Sequence, residues 1–294
     1  NENETVSEKL GVAICAIQKN AEMYLEEWID YYFIIGVDKL YVYDNSEEHV
    51  LKDWAYNPSD ILEIIHFPGE VQQKPAYEHC ARKIKSERLY EWVAFFDLDE
   101  FLVLKNYTRI QDMIVAVTQG LQPQSIGGLA LNWLIFDYNN QLRYQPFPLS
   151  QRFTRRERDV NMHVKTIVYV QHYAGYINPH AFLYSGDDIF AYDTTGKQLK
   201  ETPWFNPNGP SDIAVLHHYH TKSIEEYQSR CERGRADLSK KMVLSEDPLY
   251  CRNTTEITGN FLQSATAAME FDDTVWNILK NHLPWKYNSS ADFQ

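Results

Sequence analysis

The first hundred residues alternate two patterns that few architectures satisfy together. "GVAICAIQ" (11–18), "KLYVYDNS" (39–46), "ILEIIHF" (61–67) and "WVAFFDLD" (92–99) are short and mainly apolar on both faces. Between them lie stretches with apolar residues at helical spacing. In the first, Tyr24, Trp28, Tyr31, Tyr32 and Ile35 share a face; Asn20 is expected to cap its start, Glu22 to occupy its first turn and Gly36 to close it. In the second, 75–90, Tyr77, Cys80, Ala81 and Ile84 share a face. Strands joined through helices run parallel, because parallel neighbours need a crossover. Strands apolar on both faces must be covered on both. The sequence therefore predicts an α/β fold: a mixed, mostly parallel sheet flanked by helices. Residues 106–220 are more strand-like, with "GGLALNWLIF", "HVKTIVYV" and "IAVLHHYH", and a helix is expected over 222–238.

The last of the early strands poses a chemical problem. In "EWVAFFDLDEFLVL" (91–104), Asp97, Asp99 and Glu100 interrupt the greasiest segment of the chain. Charged groups are rarely buried without a partner. In open α/β sheets ligands bind beyond the carboxyl ends of the strands, and in extended chain residues two apart project to one face. Asp97 and Asp99 are thus expected to converge on a hard divalent cation, Mn²⁺ or Mg²⁺, that bridges substrate phosphates. The competing structural role is turn capping or pairing with Lys or Arg. No GxGxxG, GxxxxGK[ST] or GxSxG sequence is present, which removes dinucleotide, P-loop and serine-hydrolase chemistry. A nucleotide diphosphate held without a glycine loop is the pattern of GT-A type nucleotide-sugar transferases.

Bulk properties narrow the partners. A net charge of −13 argues against a sequence-independent grip on nucleic acid. No apolar run approaches the ~20 residues of a membrane helix, and "NENETVSEKL" has no secretory apolar core. The four cysteines form no CxxC pair, and Cys15 is expected to be a small core residue. Sequons begin at Asn3, Asn106, Asn253 and Asn288.

"AICAIQKNAEMYLEEWIDYYFIIGVDKLYVYDNS", "EWVAFFDLDEFLVL", "QRF", "HVKTIVYV" and "HYHTKSIEEYQSRCERGRAD" resemble, in order, segments of glycosyltransferase family 92. The resemblance implies one GT-A-like domain over 1–294, with a nucleotide-binding half at about 11–105, an acceptor-binding half at about 106–240 and a helical tail at about 241–294. It also implies metal-dependent inverting transfer from a UDP-sugar to a glycan. Characterised relatives are galactosyltransferases with a Gly-Ser-x-Gly-like turn; here the stretch is Phe136-Asp137-Tyr138-Asn139-Asn140, which leaves galactose, xylose and other hexoses or pentoses open. Family members are often anchored in the Golgi. No anchor is visible here, so the expected compartment is the Golgi lumen if one has been removed and the cytoplasm otherwise.

Residue roles follow from spacing and resemblance together. The resemblance places Gln18, Asn20 and Glu22 over the nucleotide and Asp44 near uracil or ribose. Structurally, Asp44 would instead begin the turn in "DNS". Lys74 is a candidate for phosphate or base, Asp97 for metal or ribose, and Asp99 for the metal. His218 and His220 lie on one face at a late strand end, with His217 pointing away; one of them is expected to complete the metal site, which favours Mn²⁺. Lys222 and Arg233 are candidates for the leaving diphosphate, and Trp133 for stacking on a sugar. The catalytic base must lie apart from Asp97 and Asp99; Asp137 is the first candidate and Asp188 the next. Two rival functions use the same residues: a nucleotidyltransferase acting on a nucleoside triphosphate, and a catalytically inactive glycan-binding module.

Overall fold

A computed structural model describes residues 11–56, 59–238 and 269–287. Strands β1 (Val12–Gln18), β2 (Lys39–Asp44), β3 (Leu62–His66) and β4 (Trp92–Phe95) form a parallel set in the order β3-β2-β1-β4. Helix α1 (Leu25–Ile34) connects β1 to β2, and α2 (Gln73–Glu87) connects β3 to β4. All seven β1 residues are buried. Its side chains divide strictly by parity: Val12, Ile14 and Ala16 join the core beneath α1, while Ala13, Cys15 and Ile17 join the core beneath α2. That is why the run is apolar throughout. Trp28, Tyr31 and Tyr32 on α1 are fully buried, each contributing about 1.5–3 kcal/mol through area removed from water.

Beyond β4 the sheet becomes mixed. After β5 (Glu100–Leu104) and α3 (Ile110–Thr118) come the long β6 (Ile126–Ile135), short β7 (Arg155–Glu157) and β8 (Asn161–Tyr169). Strand β8 lies antiparallel between β4 and β6. The hairpin β9 (Tyr173–Asn178) and β10 (Ala181–Tyr184) follows it. Strand β11 (Phe190–Tyr192) runs parallel to β6 and is edged by β12 (Gln198–Leu199). Strand β13 (Ala214–His218) sits between β6, to which it is parallel, and β5, to which it is antiparallel. Helix α5 (Ile224–Arg233), preceded in the chain by the single-turn α4 (Leu149–Arg152), ends the main body. The helix Thr274–His282 packs on α1 and β5. Lys286 just beyond it reaches Asp30 and Glu26. Among the described residues no helix is long and apolar enough to cross a membrane.

Several expectations are corrected. Asn20 caps no helix: it adopts φ 52°, residues 22–24 make one 3₁₀ turn, and α1 begins at Leu25. Its place is taken by Gln18, whose Oε1 accepts from Ala21 N at 3.1 Å. The fourth strand stops at Phe95, and Asp97–Glu100 is a turn closed by Glu100 N donating to Asp97 O at 3.0 Å. The extended-chain argument for Asp97 and Asp99 therefore fails, since the chain reverses there into β5. Cys15 is no lone thiol but is disulfide-bonded to Cys80, tying β1 to α2; Cys231 is also disulfide-bonded. The helix expected over 222–238 spans Ile224–Arg233 and stops there because Gly234 turns the chain with φ 85°.

Candidate active site

A cleft of about 1040 Å³ opens at the carboxyl ends of β1 and β4 and is lined by residues of β1, β6, β8, β13, α5, the start of α2 and the loops between them. Asp97 and Asp99 both face it, although neither lies on a strand. Their partners differ. Asp97 Oδ2 accepts from Lys165 Nζ at 3.0 Å, and Oδ1 from Tyr77 OH at 3.3 Å. Lys165 is fully buried on β8 and also reaches Glu100 Oε2 at 3.3 Å. Burial alone would strip its proton, but the Asp97 and Glu100 carboxylates outweigh that and raise its pKa. Asp99 is ion-paired with Lys222, and its Oδ1 lies 3.7 Å from His218 Nε2. Burial opposes its charge, yet the Lys222 ammonium holds its carboxyl well below the usual range. Two lysines thus answer the cost of the acidic turn.

Lys222 is placed with force. It adopts left-handed backbone geometry, φ 58°, a conformation costing about 1–3 kcal/mol for a non-glycine residue. The next residue, Ser223, begins α5 with a capping box: its hydroxyl accepts from Glu226 N, and the Glu226 carboxylate accepts from Ser223 N. Glu226 also takes a two-pronged bond from Arg152, 2.8 Å at each nitrogen, and a 2.6 Å bond from Tyr24 OH. The "QRF" arginine is therefore an anchor for α5.

His218 and His220 both line the cleft, whereas His217 turns to the opposite side, 3.7 Å from Asp272. Burial lowers His218 and His220, the latter to about 3, so both are neutral at physiological pH. Neutral imidazole is the metal-ligating form, and His218 Nδ1 has no protein partner. Asp99 Oδ1 and His218 Nε2 lie 3.7 Å apart, which brings a carboxylate oxygen and a neutral imidazole nitrogen, two donor types that divalent ions take, to one part of the cleft. The four residues expected to share an ion do not form a closed set. Among the described residues no cluster of three or more His, Cys, Asp or Glu side chains is poised on one point. Asp97 instead faces Lys165 and Tyr77. The donor atoms fit an ion that takes two protein ligands and completes its shell from substrate and water.

The other expected residues divide clearly. Gln18, Asn20, Trp133 and Lys222 line the cleft. Asp44 does not: it is fully buried and accepts from Gln18 Nε2 at 2.8 Å, Leu51 N at 3.1 Å and Ser46. It fixes the loop behind the cleft wall and has no oxygen left for ribose. Glu22 and Lys74 are exposed and lie outside the lining. Trp133 is packed by His163, which stacks on it at 5.3 Å, so that face is closed to a sugar. Asp137 is held away from the cleft by Arg155, Nε at 2.7 Å, and by Asn139 N at 2.8 Å. Asp188 is exposed in the turn after β10, also outside the lining. Tyr77, His163, His180 and Asp237 were not expected. Lys165 carried a legible signal, a lone lysine in the apolar run "HVKTIV", which a buried carboxylate elsewhere had to answer.

The sequence profile of glycosyltransferase family 92 matches residues 8–173, a span that contains the acidic turn, Lys165 and both cleft-lining strand ends. A family 92 protein of Ricinus communis is 32% identical over 110 residues, covering 35% of this chain and 19% of that protein. One of Oryza sativa subsp. japonica is 30% identical over 107 residues, covering 35% and 18%. One of Arabidopsis thaliana is 28% identical over 140 residues, covering 45% and 22%. The matches thus span about a fifth of the length of these relatives. Among solved structures, a glycosyltransferase involved in the glycosylation of the major capsid of PBCV-1 aligns over 54% of this chain and 60% of its own, at 15% identity and a TM-score of 0.25. More than half of the chain, including the acidic turn at the floor of the cleft, follows one profile, and the chain belongs to glycosyltransferase family 92.

Proposed function

We propose that this protein transfers a sugar from a UDP-sugar to a glycan acceptor with inversion at the anomeric carbon, using Mn²⁺ or Mg²⁺. The observation that carries this is Asp99, kept ionised at the cleft floor with Lys222 and His218 around it. Asp99 and His218 would hold the ion. When bound, it supplies a Lewis acid that stabilises charge on the departing diphosphate. Lys222 gives up its place at Asp99 and turns to the diphosphate, a shift available to an ammonium whose contacts there are Asp99 and the Tyr24 ring at 5.4 Å. Gln18, Asn45 and Gln73 line the wall formed by β1, β2 and α2; Gln18 and Asn45 spend their amide groups on Asp44, Ala21 and the Phe67 and Gly69 carbonyls, so the wall is a fixed surface against which a neutral base and ribose can lie. An inverting displacement needs a base on the acceptor side. Asp237 takes that role here: it lines the cleft, its charge reaches His180 and Tyr176, and its bond from Arg235 Nε at 2.8 Å would have to open for it to take the proton. The Cys15–Cys80 disulfide supports an oxidising compartment such as a secretory lumen.

The test is incubation with Mn²⁺ and a panel of UDP-sugars, measuring release of UDP, which needs no known acceptor. Release from at least one donor, abolished by chelation, is expected. Pyrophosphate release from a nucleoside triphosphate in place of UDP would overturn the reading in favour of nucleotidyl transfer.

A further inference from the structure

Two histidines in the cleft have their protonation pattern written into the backbone around them. His163 N donates to Asn161 Oδ1 at 3.0 Å, which identifies that atom as the amide oxygen. His163 Nδ1 lies 2.8 Å from the same oxygen, so Nδ1 carries the hydrogen. His180 Nδ1 lies 2.8 Å from the Val164 carbonyl oxygen, which can only accept, so this Nδ1 is also the donor. In the neutral ring the lone pair is then left on Nε2 in both. Neither ring is charged: burial lowers His163, and burial followed by the Lys165 charge lowers His180 to about 3. Both rings line the cleft, with centroids 5.7 Å apart, and Trp133 packs against each, at 5.3 and 5.1 Å.

We propose that His163 and His180 form a subsite for a neutral sugar, each imidazole accepting a hydrogen bond from a sugar hydroxyl through Nε2. Two fixed acceptors side by side select a ligand that offers two donors. Neighbouring hydroxyls of a pyranose do so; a phosphate or carboxylate, bearing only lone pairs, meets repulsion. The pair belongs to the β8 and β9–β10 side of the cleft, across from Gln18, Asn45 and Gln73, and calling it the acceptor side rests on the transferase reading above.

The test reads the imidazoles directly. In ¹⁵N-histidine-labelled protein at neutral pH, long-range ¹H–¹⁵N spectra should show Nε2 of both residues as the unprotonated nitrogen. Methyl β-galactoside, methyl β-glucoside or methyl β-xyloside should shift at least one of these resonances, and inorganic phosphate should not. His180→Phe should weaken the bound pyranoside roughly three- to tenfold, the worth of one hydrogen bond, and His180→Gln, which restores an acceptor, should recover it. A protonated Nε2 in either ring, or silence towards all three pyranosides, overturns the proposal without need of a folded variant. Pyranoside binding in a protein that hydrolyses no UDP-sugar would leave the subsite standing and remove the transferase reading. UDP-sugar hydrolysis with silent imidazoles would do the reverse.

Discussion

The two walls of the cleft are built on different physics. The wall formed by β1, β2 and α2 is made of amides and main chain, set at the ends of parallel strands and locked by the buried carboxylate of Asp44. Its contacts run between neighbouring elements, and a disulfide backs it. The wall formed by β8, β13 and α5 carries lysines and imidazoles. It is held by ion pairs between residues far apart in the chain: Lys165 with Asp97, Lys222 with Asp99, Arg152 with Glu226. The first wall can recognise; the second can also move charge. Disturbing the second should therefore cost both stability and chemistry, while loosening the support behind the first, with its cleft face left intact, should cost stability alone.

The largest effect is expected at Arg152. Its pair with Glu226 is almost entirely buried, and removing one partner strands a buried charge at a cost of about 3–5 kcal/mol. Urea unfolding of Arg152→Ala should show a loss of that size. A loss within the range of a surface pair, below about 1 kcal/mol, would place the anchor of α5 elsewhere.

The contrasting perturbation removes the Cys15–Cys80 bond. The double variant Cys15→Ala/Cys80→Ala should lose about 2–4 kcal/mol, while Mn²⁺-dependent UDP affinity at saturating folded protein stays close to wild type. A collapse of affinity with little loss of stability would break the division between the walls.

The smallest and most specific effect is in pH. Burial pushes Glu226 up, but Arg152 outweighs it and brings the carboxyl down from 4.5 to about 2. A depressed folded pKa adds stability that is complete above the unfolded value and fades as pH falls through the folded one. The margin of wild type over Glu226→Gln in melting temperature should be constant from pH 7 to about 5 and shrink between pH 4.5 and 2. A margin that does not change across that window would mean that Glu226 is not held ionised by Arg152.

Much of the first wall was legible in the sequence, because it follows from local rules. Continuous apolar runs separated by amphipathic stretches gave β1 to β4 with α1 and α2, and Gly36 fell where periodicity put it. The acidic turn was visible as a cost but not as a geometry: Asp97 and Asp99 look like strand residues until β5 is seen to pair with β13. Asp44 and Asp137 have one feature in common. Each was chosen as a carboxylate at a strand end, and each is consumed by a partner that sequence does not announce, Gln18 and Ser46 for one and Arg155 for the other. His163 and His180 escaped notice because nothing in the sequence marks a tautomer: Asn161 fixes one from two residues away within β8, and a carbonyl of β8 fixes the other only once the β9–β10 hairpin has folded onto it.

The central claim is that Asp99 is the carboxylate through which metal and nucleotide are held. Isothermal titration of UDP into wild type and Asp99→Asn, each with Mn²⁺ and with chelator, tests it most directly. The account predicts binding to wild type that requires Mn²⁺, and an Asp99→Asn protein that melts cooperatively but binds UDP no better with Mn²⁺ than without it. Equal Mn²⁺-dependent affinity in the two proteins would contradict it.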